Sequence, residues 1–185
     1  MHDIGKIRDK ILGQTQRLIL RPFKITDSNG FFEFLSHKET CYSDGGYQPF
    51  CDMDEAYFSL MEQFLQEDGR IVLEEKNSGR VVGTIKISPS RERAVKALEL
   101  GYVISPYYRR KGFCFEALSF LKEKIFSQTD IKLLVVKAEI GNIQSQGLAL
   151  KLGFEREGII TKGFYHPEKG AVDMVSFCLE KPLFE

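Results

Sequence analysis

The sequence has no tryptophan, only six prolines in 185 residues, and no net charge, with 26 acidic side chains against 26 basic ones. A general nucleic-acid binder carries a basic excess. None exists here, so any attraction to anions must be local. The four cysteines, Cys41, Cys51, Cys114 and Cys178, form no CxxC pair. Together with the scattered His2, His37 and His166 they give no zinc spacing, so no metal is expected. The first fourteen residues, MHDIGKIRDKILGQ, are polar and charged and lack the apolar core of a secretory leader. Reduced thiols are therefore expected rather than disulfides. No run approaches the roughly 18–20 apolar residues that a membrane helix needs. These absences predict a cytoplasmic protein with no membrane or nucleic-acid partner.

What is present is ordinary for a folded chain: 43% hydrophobic and 28% charged residues. The length suits one domain with a sizeable core. Residues 1–14 read as an N-terminal extension, either a leader helix or a loose tail, ahead of a domain over 15–185. QRLILRPF (16–23) is short, apolar and ends at Pro22, a first strand. Asp27 is placed to cap a helix carrying Phe31, Phe34 and Leu35. Residues 40–52 hold Gly45, Gly46 and Pro49 and predict a loop of the binding type. Asp54 opens an amphipathic helix with Tyr57, Phe58, Met61, Phe64 and Leu65 at helical spacing.

Strands follow at 69–76 and 80–88, flanking the turn Asn77-Ser78-Gly79. In 96–105, Leu98, Leu100, Tyr102 and Ile104 share one face, and Glu99, Gly101 and Val103 the other. The period then becomes 3.6, with Cys114, Ala117, Leu118, Leu121 and Ile125 on one stripe of a helix over 112–126. KLLVVKA (132–138) is continuously apolar, as in a strand buried on both faces. A short helix opens at Asn142 and closes at Gly153. Two last strands, 154–165 and 172–181, end the chain. The order predicts an α/β fold of the α+β kind, a mixed sheet with helices on both faces.

The densest cationic run lies where a strand gives way to a helix. Arg109, Arg110 and Lys111 lead into Gly112. A helix N-terminus has unpaired N–H groups and about half a unit of positive charge. Adding three cations makes an anion trap, and a glycine lets an anion approach the backbone. A diphosphate fits such a cradle. The run is neither a Walker A loop nor a dinucleotide-binding GxGxxG.

LGYVISPYYRRKGFCFEAL (100–118) resembles the acetyl-CoA-binding core of the Gcn5-related N-acetyltransferase (GNAT) superfamily, whose form [QR]-x-x-G-x-[GA] falls on Arg109-Arg110-Lys111-Gly112-Phe113-Cys114. Cys114 departs from the usual Gly or Ala. The following Glu116-Ala117 is similar to the branch that includes the ribosomal-protein N-terminal acetyltransferases. GNIQSQGLALKLGFEREG (141–158) resembles that branch's Asn-x-x-Ser segment and K-L-G-F, and TQRLILRPF (15–23) its opening strand. The resemblance covers roughly 15–181. It implies a single-domain GNAT-like fold with a mostly antiparallel sheet of about seven strands and a splayed central pair. It implies acetyl-CoA as co-substrate, with the pyrophosphate on 109–114 and the pantetheine arm along the strand holding Tyr102, Val103 and Ile104. Asn142, Ser145 and Lys151 complete the implied cofactor-binding set.

Acetyl transfer needs a neutral amine and a stabilised leaving thiolate. Glu99 is the candidate base, against a solvent-facing strand carboxylate. Many members of the family donate to the thiolate from a tyrosine at the position of Ala149, which here carries no hydroxyl. The branch offers Ser145 instead. Tyr42, Asp44, Tyr47, Phe50, Tyr165 and His166 are acceptor-pocket candidates by location. The acceptor is a peptide N-terminus, a polyamine, an amino acid or an aminoglycoside, and the protein a monomer or homodimer. Two other readings stand beside the enzyme: a catalytically silent acyl-CoA-binding sensor, and a phosphate or nucleic-acid binder using 109–111. A catalytic Cys114 nucleophile is a further alternative. Gly147, unusual inside a helix, implies close packing.

Overall fold

The computed structural model describes residues 3–44 and 48–182. Helix α1 (Ile4–Ile11) begins at Asp3, whose carboxylate accepts the Lys6 N–H. It places Ile7 and Ile11 in the main core. Of the two expectations for the N-terminus, the helix is the one formed. Strands β1 (Gly13–Gln14) and β2 (Leu18–Pro22) follow, then α2 (Ser28–Leu35), α3 (Lys38–Asp44) and α4 (Glu55–Gln66). Three strands come next, β3 (Arg70–Glu75), β4 (Val81–Pro89) and β5 (Ala97–Ile104). The chain ends with α5 (Phe113–Gln128), β6 (Leu133–Glu139), α6 (Ile143–Lys151), β7 (Glu155–His166) and β8 (Gly170–Glu180).

The strands form one sheet in the order β1-β2-β3-β4-β5-β6-β8-β7. Only β5 and β6 pair in parallel among the described strands. The sheet has eight strands rather than seven. The extra one, β1, is two residues long, too short to show an alternation. A second correction concerns 40–52, expected to be loop throughout. Its first part belongs to α3, which buries Thr40, Cys41 and Tyr42. Asp27 stands at the N-terminus of α2 but does not cap it. Its carboxylate takes both Arg21 Nη groups, at 2.8 and 2.7 Å, and the Lys24 N–H.

Two clusters cover the two faces of the sheet. One joins α1, α5 and α6 to Leu18, Leu20, Ile71, Leu98 and Leu100. The other joins α2, α3 and α4 to Val72, Val81 and Val103. In α4 the buried stripe is Tyr57, Leu60, Met61 and Phe64, while Phe58 and Leu65 sit exposed at its rim. The assignment of β5 residues to these clusters follows the alternation in the sequence: Leu98 and Leu100 to one face, Val103 to the other. On the second face a small cluster of Ala97, Leu133, Val135 and Cys178 includes no helical residue. Helices therefore cover both faces of β2–β5, but only one face of the C-terminal strands.

Candidate active site

Strand β5 lies in register with β4 from Leu98 to Ile104, yet with β6 only from Ala97 to Glu99. Beyond Glu99 the two parallel strands part, and β5 keeps one unpaired edge. This split leads directly to the start of α5. Gly112 is the N-cap there, and no side chain caps it. In contrast, α1, α4 and α6 are capped by Asp3, Asp54 and Asn142. The first N–H groups of α5 are thus left for another acceptor. Gly112 has φ 82°, and Arg110, a non-glycine, has φ 62°. Such left-handed residues turn successive N–H groups into an anion-binding nest. At Gly112 it is the backbone angle that demands glycine; an added Cβ would meet only the end of Arg17, at 3.4 Å.

The cationic side chains do not all face this cradle. Arg109 turns toward α3, donating to Glu39 (3.0 Å) and Thr40 Oγ1 (3.2 Å), and back to the Ile104 carbonyl (3.3 Å). Lys111 lies over the Tyr108 ring at 5.0 Å. Arg110 is exposed. Lys151 reaches the first turn of α5 from α6, its Nζ 4.7 Å from the Phe115 ring centroid. Phe113 is buried in the core below.

Sequence reasoning did not assign a role to the Arg17–Glu116 pair. Glu116, in the first turn of α5, accepts from Thr15 Oγ1, from the Arg17 N–H at 2.8 Å and from Arg17 Nε at 2.6 Å. Burial pulls its pKa up, but these donors outweigh it and hold the carboxyl below its ordinary value. Arg17 also donates to the Lys111 carbonyl at 2.9 Å and stacks over Phe113 at 4.4 Å. The chain before β2 is thereby tied to the cradle. A lone arginine beside an apolar strand was the available signal.

Tyr102 and Ser145 are brought together across the split. Tyr102 faces the α5–α6 side and packs against the main core. Its hydroxyl is 2.7 Å from Ser145 Oγ. Asn142 accepts the Ser145 N–H at 3.0 Å, which is simple helix capping. Ala149 is buried one turn later. Desolvation raises the pKa of Tyr102 and pushes the Cys114 thiol up to about 12. A thiol so disfavoured as thiolate does not suit nucleophilic chemistry. Gly147 corrects an expectation: nothing lies within 4 Å of the place its Cβ would take, so close packing within this chain does not explain it.

Glu99 occupies the other face of β5, where pairing with β6 ends. Lys137 Nζ is 2.9 Å from its carboxylate. Beside it, an added Cβ at the exposed Gly101 would meet nothing within 4 Å. The space over Gly101 is therefore open. On this side Arg93 and Ser176 both bond Glu157, at 2.6 and 2.8 Å. Of the acceptor candidates, Tyr42 and His166 meet with ring centroids 5.0 Å apart. His166 Nδ1 accepts the N–H groups of Glu168 and Lys169, so a neutral ring carries its proton on Nε2. Lys38 of α3 pairs with Glu168, a second tie between α3 and the β7–β8 turn. Phe50 instead packs on Tyr57, and Tyr165 is 71% exposed. Tyr47 and the side chain of Asp44 lie outside the described residues.

Among the described residues, no group of three or more His, Cys, Asp and Glu is placed to hold a metal, and no helix is long and apolar enough to cross a membrane. The fold has known counterparts. The family model described as acetyltransferase (GNAT) domain matches residues 17–155. The N-acetyltransferase YoaA of Bacillus subtilis (strain 168) is 28% identical over 158 residues, covering 82% of this chain and 87% of the relative. Among solved structures, the ribosomal-protein-S5-alanine acetyltransferase from Vibrio fischeri superposes with a TM-score of 0.74 at 17% identity, covering 94% of this chain and 98% of that one. The spermidine N-acetyltransferase from Vibrio cholerae, solved with CoA and spermine, gives 0.72 at 16%, covering 89% and 95%. At these identities the two structures speak for the fold. The family match spans most of the chain and runs through both the cradle and the split strand, so the chain belongs to the GNAT acetyltransferase family.

Proposed function

We propose that the protein transfers the acetyl group of acetyl-CoA to a primary amine by direct attack in a ternary complex. The observation that carries this reading is the released edge of β5 leading into the uncapped N-terminus of α5. An unpaired strand edge offers backbone groups to the amides of a pantetheine arm, as an added strand would. The α5 N-terminus and the left-handed turn at Arg110 and Gly112 offer N–H groups to a pyrophosphate. The spermidine enzyme of the same fold, solved with CoA, supports acetyl-CoA as the co-substrate.

The two faces of β5 then divide the chemistry. The thioester lies at the split, which opens to both. From the open space over Gly101 the amine attacks the carbonyl carbon. Glu99, on the same strand face two residues before Gly101, takes the amine proton directly or through water. On the opposite face Ser145 donates to the leaving sulfur in place of the hydroxyl that Ala149 lacks. Holding amine and thioester together contributes about 7–11 kcal/mol by proximity alone. The acceptor binds between the α3 side and the β7–β8 turn, near Tyr42 and His166.

Release of free CoA thiol from acetyl-CoA, measured over peptides, polyamines, amino acids and aminoglycosides, tests the reading. Release with one acceptor class is expected. With Glu99→Gln the acidic limb of the pH–rate profile moves if Glu99 is the base. No release with any class, while acetyl-CoA at 100 times its Kd still stabilises the fold by about 2.7 kcal/mol, would overturn transfer and leave a silent acyl-CoA-binding module. The alanine at position 149 is the one observation that favours this second reading.

A further inference from the structure

We infer that Tyr102 is a positioning residue for the leaving-group side of the reaction: its phenol fixes the Ser145 hydroxyl so that the serine's own proton points at the departing sulfur. The inference rests on the proposed role of Ser145 and goes beyond it.

A serine hydroxyl has one proton, two lone pairs and a free rotor, so nothing in the side chain itself aims the donor. Ser145 sits in the first turn of α6, where its backbone N–H is already taken by Asn142. Its Oγ is 2.7 Å from the Tyr102 hydroxyl, a pair in which either oxygen can donate, and the same phenol can donate to the Ser145 carbonyl at a longer 3.3 Å; we assign the phenol proton to the shorter contact. A phenol that donates to Oγ fills one lone pair and leaves the serine proton to seek another acceptor. A chain of two hydroxyls is also polarised along its length, which strengthens the terminal donor.

The phenol is suited to this part. Tyr102 comes from β5 and Ser145 from α6, the helix that follows β6, so their contact joins the two elements beyond the point where pairing of β5 with β6 has ceased. The ring is anchored against the main core, which fixes the position of the hydroxyl. Desolvation keeps the phenol protonated, hence a donor throughout the working pH range.

The step balances without another reactant. The amine nitrogen forms a bond to the acetyl carbon, and the carbon–sulfur bond breaks with its electron pair on sulfur. The acceptor nitrogen loses one proton and the CoA sulfur gains one. Ser145 stabilises the developing negative charge on sulfur by hydrogen bonding, and Tyr102 holds Ser145 in the geometry that does so.

The test is a double-variant cycle with Tyr102→Phe, Ser145→Ala and both together. CoA release is read under conditions where chemistry limits turnover. Tyr102→Phe keeps the ring, so melting temperature and KM for acetyl-CoA are expected to stay at parent values while kcat falls about tenfold, somewhat less than for loss of a direct transition-state donor. In the Ser145→Ala background the phenylalanine is expected to have no further effect. Incorporation of 3-fluorotyrosine at 102 keeps the ring and strengthens the donor, so kcat holds or rises; this version stands even if the phenylalanine variant folds poorly. A full-activity Tyr102→Phe beside an impaired Ser145→Ala overturns the positioning role and leaves Ser145 intact. An unimpaired Ser145→Ala overturns the serine reading itself, and a Tyr102→Phe loss that persists in that background overturns action through serine. A drop in melting temperature or a rise in KM matching the loss of kcat overturns the inference in favour of a packing role.

Discussion

Along its β4 edge, strand β5 is in register from Leu98 to Ile104; along its β6 edge the register ends at Glu99. The β4 edge lies between two helical layers and two apolar clusters. Beyond Glu99 the other edge meets no strand, and the nearby residues are a bare glycine, a hydrogen-bonded hydroxyl pair and an ion-paired glutamate. The difference is one of division of labour within a single strand. The closed edge supplies rigidity, and the open edge supplies unpaired backbone, which the proposed function gives to a ligand. Substitutions on the closed side are thus expected to act on stability, and those on the open side on turnover.

Gly101→Val gives the largest separation of the two. Gly101 pairs with Lys86 on β4 and needs no left-handed angle, and its missing Cβ faces empty space. A β-branched residue suits a strand there, so the melting temperature is expected to hold or rise slightly. Under the proposed chemistry the same side chain occupies the open space from which the amine approaches. Misplacement by about 1 Å is enough for a loss on the order of a hundredfold in kcat/KM. Thermal unfolding and CoA release on one preparation check both halves. A variant that is unstable, or fully active, breaks the proposed division.

Glu116→Gln acts where the two regimes meet, since the carboxylate holds Thr15 and Arg17 to the cradle. Loss of charged hydrogen bonds is expected to remove about 2 kcal/mol at neutral pH. KM for acetyl-CoA is expected to rise severalfold, because Arg17 no longer braces the Lys111 carbonyl. The pH dependence follows from the lowered pKa of Glu116. A carboxyl depressed in the folded state contributes its stability in full above the unfolded value of 4.5, and loses it as pH falls through the folded value. Parent and variant therefore differ most near neutrality and converge in acid. Urea unfolding at pH 7 and at about pH 3 reads the sign; a gap that widens in acid contradicts the assignment.

Local periodicity carried much of the fold. The alternation in β5 assigned Leu98 and Leu100 to one face and Val103 to the other, as the clusters do. Elements too short for a period escaped: β1 has two residues and α3 seven. Charge pairing over distance escaped as well. Asp27 has the right residue type for a cap, but Arg21 claims its carboxylate while also bonding Glu74. Arg109 sits in the motif, but Glu39 and Thr40, far away in sequence, draw its side chain off the cradle. The Tyr102–Ser145 bond joins residues 43 apart. Each residue was legible as a candidate, but the contact between them depends on how two strands diverge.

Gly147→Ala is the smallest and most diagnostic change. Glycine inside a helix is about 1 kcal/mol less favourable than alanine. At position 147 the usual justification fails, since an added methyl meets no atom within 4 Å. The variant is therefore expected to gain close to that amount in chemical unfolding. Its effect on turnover then measures how far the open region extends. If Gly147 faces only solvent, kcat and KM stay at parent values and the open region ends at Ser145, two residues earlier. If KM for acetyl-CoA rises while stability also rises, the bare backbone at 147 belongs to the ligand's side of the molecule. The open edge of β5 would then have a second wall on α6, kept free of side chains at the expense of helix stability.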